Sequence, residues 1–147
     1  MNEEKYQKLM ERAKINRAKS YNKHLANLQD KPEYRLRTAL NTIRISNRSG
    51  SHLNDFRFNP NNSDEHEDTK YRIFKILRRN NIPVFVEPIF ENDSRCDILD
   101  LLNFICYEVT FSETEEKLKE KIKKYPDIFT VVRIDAKKQF EEKEILI

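Results

Sequence analysis

Residues 95–110 read Arg95-Cys96-Asp97-Ile98-Leu99-Asp100-Leu101-Leu102-Asn103-Phe104-Ile105-Cys106-Tyr107-Glu108-Val109-Thr110. Apolar, β-branched and aromatic residues on both sides of Leu102-Asn103 predict a β-hairpin that turns there. In that register Asp97 lies across from Glu108, and Arg95 across from Thr110. Side chains alternate faces along a strand, so these four share one face with Leu99, Leu101, Phe104 and Cys106. Two carboxylates placed opposite each other repel unless a cation sits between them. A divalent ion suits the pair, since Mg²⁺ takes one or two carboxylates together with water and substrate phosphate. A two- or four-residue loop keeps the pair on one face, whereas a three-residue loop separates it. The rival reading has both carboxylates merely solvated, but Ile98, Leu99, Ile105 and Val109 beside them predict a buried sheet.

Downstream and upstream the pattern is regular. Residues 64–80 have helical periodicity, with Tyr71, Ile73, Phe74, Ile76 and Leu77 facing inward. On that wheel His66, Glu67 and Lys70 also point toward the core side, while Glu65 points away. Residues 82–90 read as a strand, followed by a turn at Glu91-Asn92-Asp93. Ser112 is placed to cap a helix, with Glu115 completing a capping box. Leu118, Ile122 and Tyr125 form that helix's apolar stripe, Pro126 ends it, and residues 128–134 read as a further buried strand. The order is helix, three strands, helix, strand. That is an α/β fold, a mixed sheet flanked by helices. The charged tail from Asp135, closing on Ile145, Leu146 and Ile147, reads equally as a helix or an edge strand.

The first part of the chain differs in kind. Residues 1–62 hold 13 Lys or Arg against 6 Asp or Glu, a surplus of +7, and residues 63–147 hold 15 against 19, a balance of −4. Residues 2–28 are helix-prone, with a thin stripe of Tyr6, Met10, Ala13, Tyr21, Leu25 and Leu28. A second short element spans 34–45, and 47–63, rich in Asn, Ser and Pro, reads as a linker. The expected division is therefore a basic helical arm and linker over 1–62, and a core over 63–147. Arg12, Lys14, Arg17 and Lys19, interleaved with Tyr21 and Tyr34, suit a nucleic-acid backbone. A solvated helical arm explains the same charges, and no helix-turn-helix or zinc signature decides between them.

At 147 residues the chain holds one domain, or one domain with an appendage. No stretch is apolar enough to cross a bilayer and no signal-peptide pattern opens the chain, so a soluble, cytoplasmic protein without a membrane partner is expected. Cys96 and Cys106 fall on opposite faces of the hairpin and read as small buried hydrophobes, neither a disulfide nor a metal pair. Gly50 is the single glycine. That excludes a glycine-rich phosphate loop and leaves turns to pairs such as Asn80-Asn81 and Asn92-Asp93.

An Asp near the start of the second strand and a Glu in the third, in this element order, resemble the core of the PD-(D/E)XK nuclease superfamily. The likeness covers about residues 64–135. It runs through Glu65-His66 with Lys70, Val84-Phe85-Val86-Glu87, Arg95-Cys96-Asp97-Ile98-Leu99-Asp100, Tyr107-Glu108-Val109-Thr110 with Ser112, and Glu115-Lys117-Leu118-Lys121-Tyr125. The run is similar to short nuclease-like proteins of archaea and their viruses, which implies the cytoplasm, or a host's cytoplasm if viral. The resemblance implies a restriction endonuclease-like core and metal-dependent hydrolysis of phosphodiesters in DNA, with RNA also possible as substrate. Asp97 and Glu108 would hold Mg²⁺ or Mn²⁺, with the Val109 carbonyl as a further ligand. The metal would lower the pKa of a bound water and steady the charge on the scissile phosphate. Many relatives dimerise, which makes a homodimer an expectation too.

One departure stands out. The family's lysine follows the glutamate by two residues, where this chain has Thr110. In some relatives it moves to the first helix, and Lys70 is placed for that; the plain reading is a lysine snorkelling at a helix edge. Likeness to the motif favours Glu65 as the helix carboxylate, and periodicity favours Glu67. Glu87, at a strand's end, either joins the metal site or faces solvent. His66 and Arg95 are weaker candidates, the histidine being equally at home as a solvated first-turn residue. Lys117 and Lys121 share a helical face suited to phosphate, although lysines late in a helix also follow from its dipole. The alternative function is a catalytically inactive nuclease fold that binds nucleic acid, a reading that Thr110 favours.

Overall fold

The computed structural model describes residues 2–29, 32–47 and 52–145, with the side chains of 17–29 and 32 outside the description. The chain forms two compact units, Met1–Thr38 and Ala39–Ile147. The first holds α1 (Glu3–Gln29) and most of α2 (Pro32–Asn41). Asn2 starts α1 by accepting the Lys5 amide at 2.9 Å. The Tyr6 and Met10 part of the thin stripe is exposed. The expected contributions of Tyr21, Leu25, Leu28, Arg17 and Lys19 lie outside the described side chains.

The second unit is an α/β domain. Its elements are α3 (Asp64–Arg79), β1 (Val84–Val86), β2 (Ile98–Asp100), β3 (Ile105–Thr110), α4 (Glu115–Lys123) and β4 (Thr130–Asp135). The strands stand in the order β1-β2-β3-β4. The first three are antiparallel, and β4 lies parallel to β3 after the α4 crossover. Ile98 pairs with Tyr107, Leu99 with Cys106 and Asp100 with Ile105. That is the register expected of the hairpin, closed by a four-residue turn over 101–104.

Helices cover both faces of the sheet. Ile73, Ile76 and Leu77 of α3 pack on Val84, Val86, Ile98, Tyr107 and Val109. Phe85, Leu99, Leu101, Phe104 and Cys106 point the other way, against Tyr125, Phe129, Ala39 and Ile43. With apolar matter on both sides, β1 and β2 are buried throughout.

Several expectations need correction. The core begins at Ala39, not near residue 63. Part of the supposed linker edges the sheet, Leu53 bridging to Phe85, and ahead of it Ile43 bridges to Phe90. Asn54, in the left-handed region at φ 59°, exchanges bonds with Val84 through its amide and its side chain. Asn tolerates that conformation, so an Asn-rich stretch served as turn-former rather than tether. β1 ends at Val86 because Glu87 turns to φ 51° and Pro88 follows. Tyr71 is exposed, lying edge-on to Phe56 at the flank of α3. Thr114, not Ser112, caps α4 by accepting from Lys117. β4 is a half-exposed edge strand. The described part of the tail forms a short 3₁₀ turn (Glu142–Glu144) in place of the expected helix or edge strand, with Ile145 buried and its carbonyl accepting from Tyr107 at 2.6 Å.

The cysteines are corrected as well. Both are buried, free and in the same cluster as Leu99. A bend at Asp97 breaks the strand alternation that would have sent Cys96 to the other face. Arg95 consequently pairs with Ile89 rather than Thr110.

Candidate active site

The bend that ends the ladder at Ile98 leaves Asp97 at the mouth of a cleft of about 510 Å³. His66, Glu87, Arg95, Lys117 and Lys121 also line it. Asp97 Oδ2 accepts the amide of Val109 at 2.7 Å, so the aspartate is anchored on β3 beside Glu108. Val109 thus contributes its N–H to the site.

Glu108 is fully buried. Tyr125 donates to its Oε2 at 2.6 Å, and the ammonium of Lys121 rests on its Oε1. Lys121 stands late in α4 and Tyr125 one turn further, just past the helix end, so one side of that segment grips both oxygens. Burial, then the charge of Asp97, pushes the Glu108 carboxyl up to about 7 against the pull of Lys121 and Tyr125. Burial would lower Lys121, but the Glu108 carboxylate outweighs it and holds the ammonium charged.

A second network adjoins the first through His66. Its amide donates to Ser63 Oγ, the cap of α3, which fixes the ring in the first turn. The ring stands between two acids, Nε2 3.4 Å from Asp97 and Nδ1 3.5 Å from Glu67. Burial opposes protonation there, but Asp97 and then Glu67 prevail and raise the imidazole pKa. Beyond it the ammonium of Lys70, wholly buried, lies 2.8 Å from Glu67 and 3.7 Å from Glu87. The 2.8 Å approach is an ion pair by distance without hydrogen-bond alignment, and the Nζ is left with no bonded partner. Glu67 further accepts from Asn59 and Asn62, and Glu87 from Asn59. Burial would raise Glu67; Lys70 and the two asparagines lower it.

The candidates therefore sort by position. Asp97, Glu108, Lys121 and His66 meet at one place. Glu67 is buried and Glu65 exposed, as the helical wheel has it. Lys70, Glu67 and Glu87 form the second network, where Lys70 is enclosed by carboxylates. Thr110 ends β3, bonded at 3.5 Å to the Ile134 carbonyl, and does not line the cleft. Arg12 and Lys14 are exposed on α1. Sequence reading had Tyr125 in the apolar stripe and in the family-like run but missed its bond to Glu108, as it missed the pairing of Lys121 with Glu108; their one-turn spacing was the available signal. It also missed Asn59 and Asn62, for which no local signal exists.

Among the described residues no three His, Cys, Asp or Glu side chains converge on a metal position. Asp97 and Glu108, two adjacent buried carboxylates of which the first makes ionising the second costlier, nevertheless fit an ion that keeps most of its water. Among the described residues no helix is long and apolar enough to cross a membrane. No family model, curated protein or solved structure matches this chain.

Proposed function

We propose that this chain is a metal-dependent endonuclease that hydrolyses phosphodiesters in DNA on a restriction endonuclease-like core. The observation that carries the reading is Asp97 lining the cleft with the wholly buried Glu108 behind it, and Lys121, which also lines the cleft, holding its ammonium on Glu108. Asp97 and Glu108 would hold Mg²⁺ or Mn²⁺, which when bound lowers the pKa of a coordinated water and offsets charge on the phosphate. Lys121 takes the part that Thr110 cannot. Its side chain is 38 % exposed, so the ammonium can turn from Glu108 to a phosphate oxygen entering the cleft. Tyr125 keeps Glu108 oriented while it does so. Lys70 balances Glu67 and Glu87 instead of meeting substrate. Arg12 and Lys14 on α1 and Lys117 on α4 are exposed cations suited to the DNA backbone.

The test is nicking of plasmid and branched DNA by wild type, Asp97→Ala and Glu108→Ala with Mg²⁺, Mn²⁺ or EDTA. Metal-dependent cutting by wild type alone is expected. Cutting that survives either substitution undiminished overturns the mechanism. Binding without cutting under every metal favours the inactive, nucleic-acid-binding alternative.

A further inference from the structure

A second cavity, of about 520 Å³, shares Asn59, Glu87 and Arg95 with the cleft. Its other walls include Asn47, Arg57, Phe58 and Asn61. Phe58 is 64 % exposed, and no described ring packs on it. A lone exposed aromatic is ordinary on a protein surface. This one sits on a loop that is held fast. Asn59 is bonded to Glu67 and Glu87, Asn61 to Asn59, and Asn62 to both Asn59 and Glu67. The ring is therefore presented outward by a braced backbone, with its ordering cost already met on folding.

The groups around the ring are those that recognise a nucleotide. Arg57 has no acidic partner among the described residues, and its Nε is buried without a hydrogen bond. Among the described residues the Arg95 guanidinium approaches one acid, Glu87, at 4.0 Å, a carboxylate that Lys70 and Asn59 already serve. The Asn61 side chain is exposed, and an amide offers both a donor and an acceptor to a base edge. An aromatic face, guanidinium groups and a carboxamide together are the means by which proteins hold unpaired bases.

We propose that this cavity binds an unpaired nucleobase next to the scissile phosphate, with Phe58 as the stacking platform. The proposal rests on the nuclease reading of the adjoining cleft. Its consequence is substrate class: a base inside an intact duplex has both faces stacked, so Phe58 can engage only a flap, fork, single strand or extruded nucleotide.

The chain contains no tryptophan, so Phe58→Trp places a single indole reporter at the cavity. Full-length Phe58→Trp is titrated in EDTA with three DNAs: a duplex bearing a short flap, the same flap with an abasic nucleotide at the branch, and the fully paired duplex. The intact flap should quench the indole, and the other two should not. In parallel, Phe58→Ala should weaken flap binding about tenfold relative to wild type and leave duplex binding unchanged. Equal quenching by intact and abasic flaps, or equal flap affinity of wild type and Phe58→Ala, overturns the proposal. EDTA separates the two readings. A base-dependent quench in a protein that cuts nothing under Mg²⁺ or Mn²⁺ retains the subsite and removes the nuclease. Cutting without base dependence removes the subsite alone.

Discussion

The ammonium of Lys121 on α4 rests on the carboxylate of Glu108 on β3, thirteen positions earlier in the chain. Glu108 is wholly buried while Lys121 is partly exposed, so the pair joins the interior of the sheet to the cleft. The pairing brings a lysine to the two acids although Thr110 stands where the resemblance expects one.

Lys121→Met should lower the cleavage rate roughly 100- to 1,000-fold, the usual cost of removing one group that stabilises developing charge. Lys121→Arg should retain part of the activity. Because Lys121→Met leaves the wholly buried Glu108 without its cation, melting temperature should also fall, so rates are compared at a temperature where every variant is folded. Single-turnover cleavage with thermal unfolding of each variant checks this, and an unimpaired Lys121→Met would remove Lys121 from the mechanism.

Glu108 predicts a pH dependence in metal-free buffer. Its carboxyl is raised from about 4.5 to about 7 by burial and then Asp97, so the folded state binds the proton more tightly than the unfolded state. That stability is fully present below pH 4.5 and is lost as pH rises through 7, by up to about 3 kcal/mol. Glu108→Gln does not titrate. Its stability relative to wild type should therefore climb between pH 5 and 8 in EDTA, and Mg²⁺ should restore wild type only. Denaturant unfolding across that range measures it; parallel curves for the two proteins would contradict the assignment.

Lys70 should differ from Lys121 in acting on stability alone. Lys70→Met leaves Glu67 and Glu87 without their buried cation and should cost about 3–5 kcal/mol. A large fall in melting temperature is expected. Loss of cleavage at unchanged stability would return Lys70 to the catalytic role.

Arg12 and Lys14 test the arm. If they neutralise phosphates, Arg12→Gln with Lys14→Gln should reduce the salt slope of DNA binding by roughly 0.9 for each phosphate set free. A titration at several salt concentrations reads this directly, and an unchanged slope assigns those charges to solvent.

The residues alone determined what short-range periodicity governs. A two-residue alternation placed Leu99, Leu101, Phe104 and Cys106 on one face, and the hairpin register followed from it. The 3.6-residue repeat turned Glu67 inward and Glu65 outward, since neighbours on a helix share one backbone geometry. The mixed α/β sheet followed from the order of such segments. Tertiary structure alone decided which charges meet. Lys121 reaches Glu108 only because the parallel crossover lays α4 on the face where Glu108 points. Lys70 is enclosed because Asn59 brings Glu87 and Glu67 together across 28 and 8 positions. Ile43 and Leu53 join the core through bridges to Phe90 and Phe85, which no local composition announces. The single bend at Asp97 moved Cys96 to the face of Cys106. A local pattern constrains which way a side chain points, but the group it points at is supplied by a distant segment, through packing that no window of sequence contains.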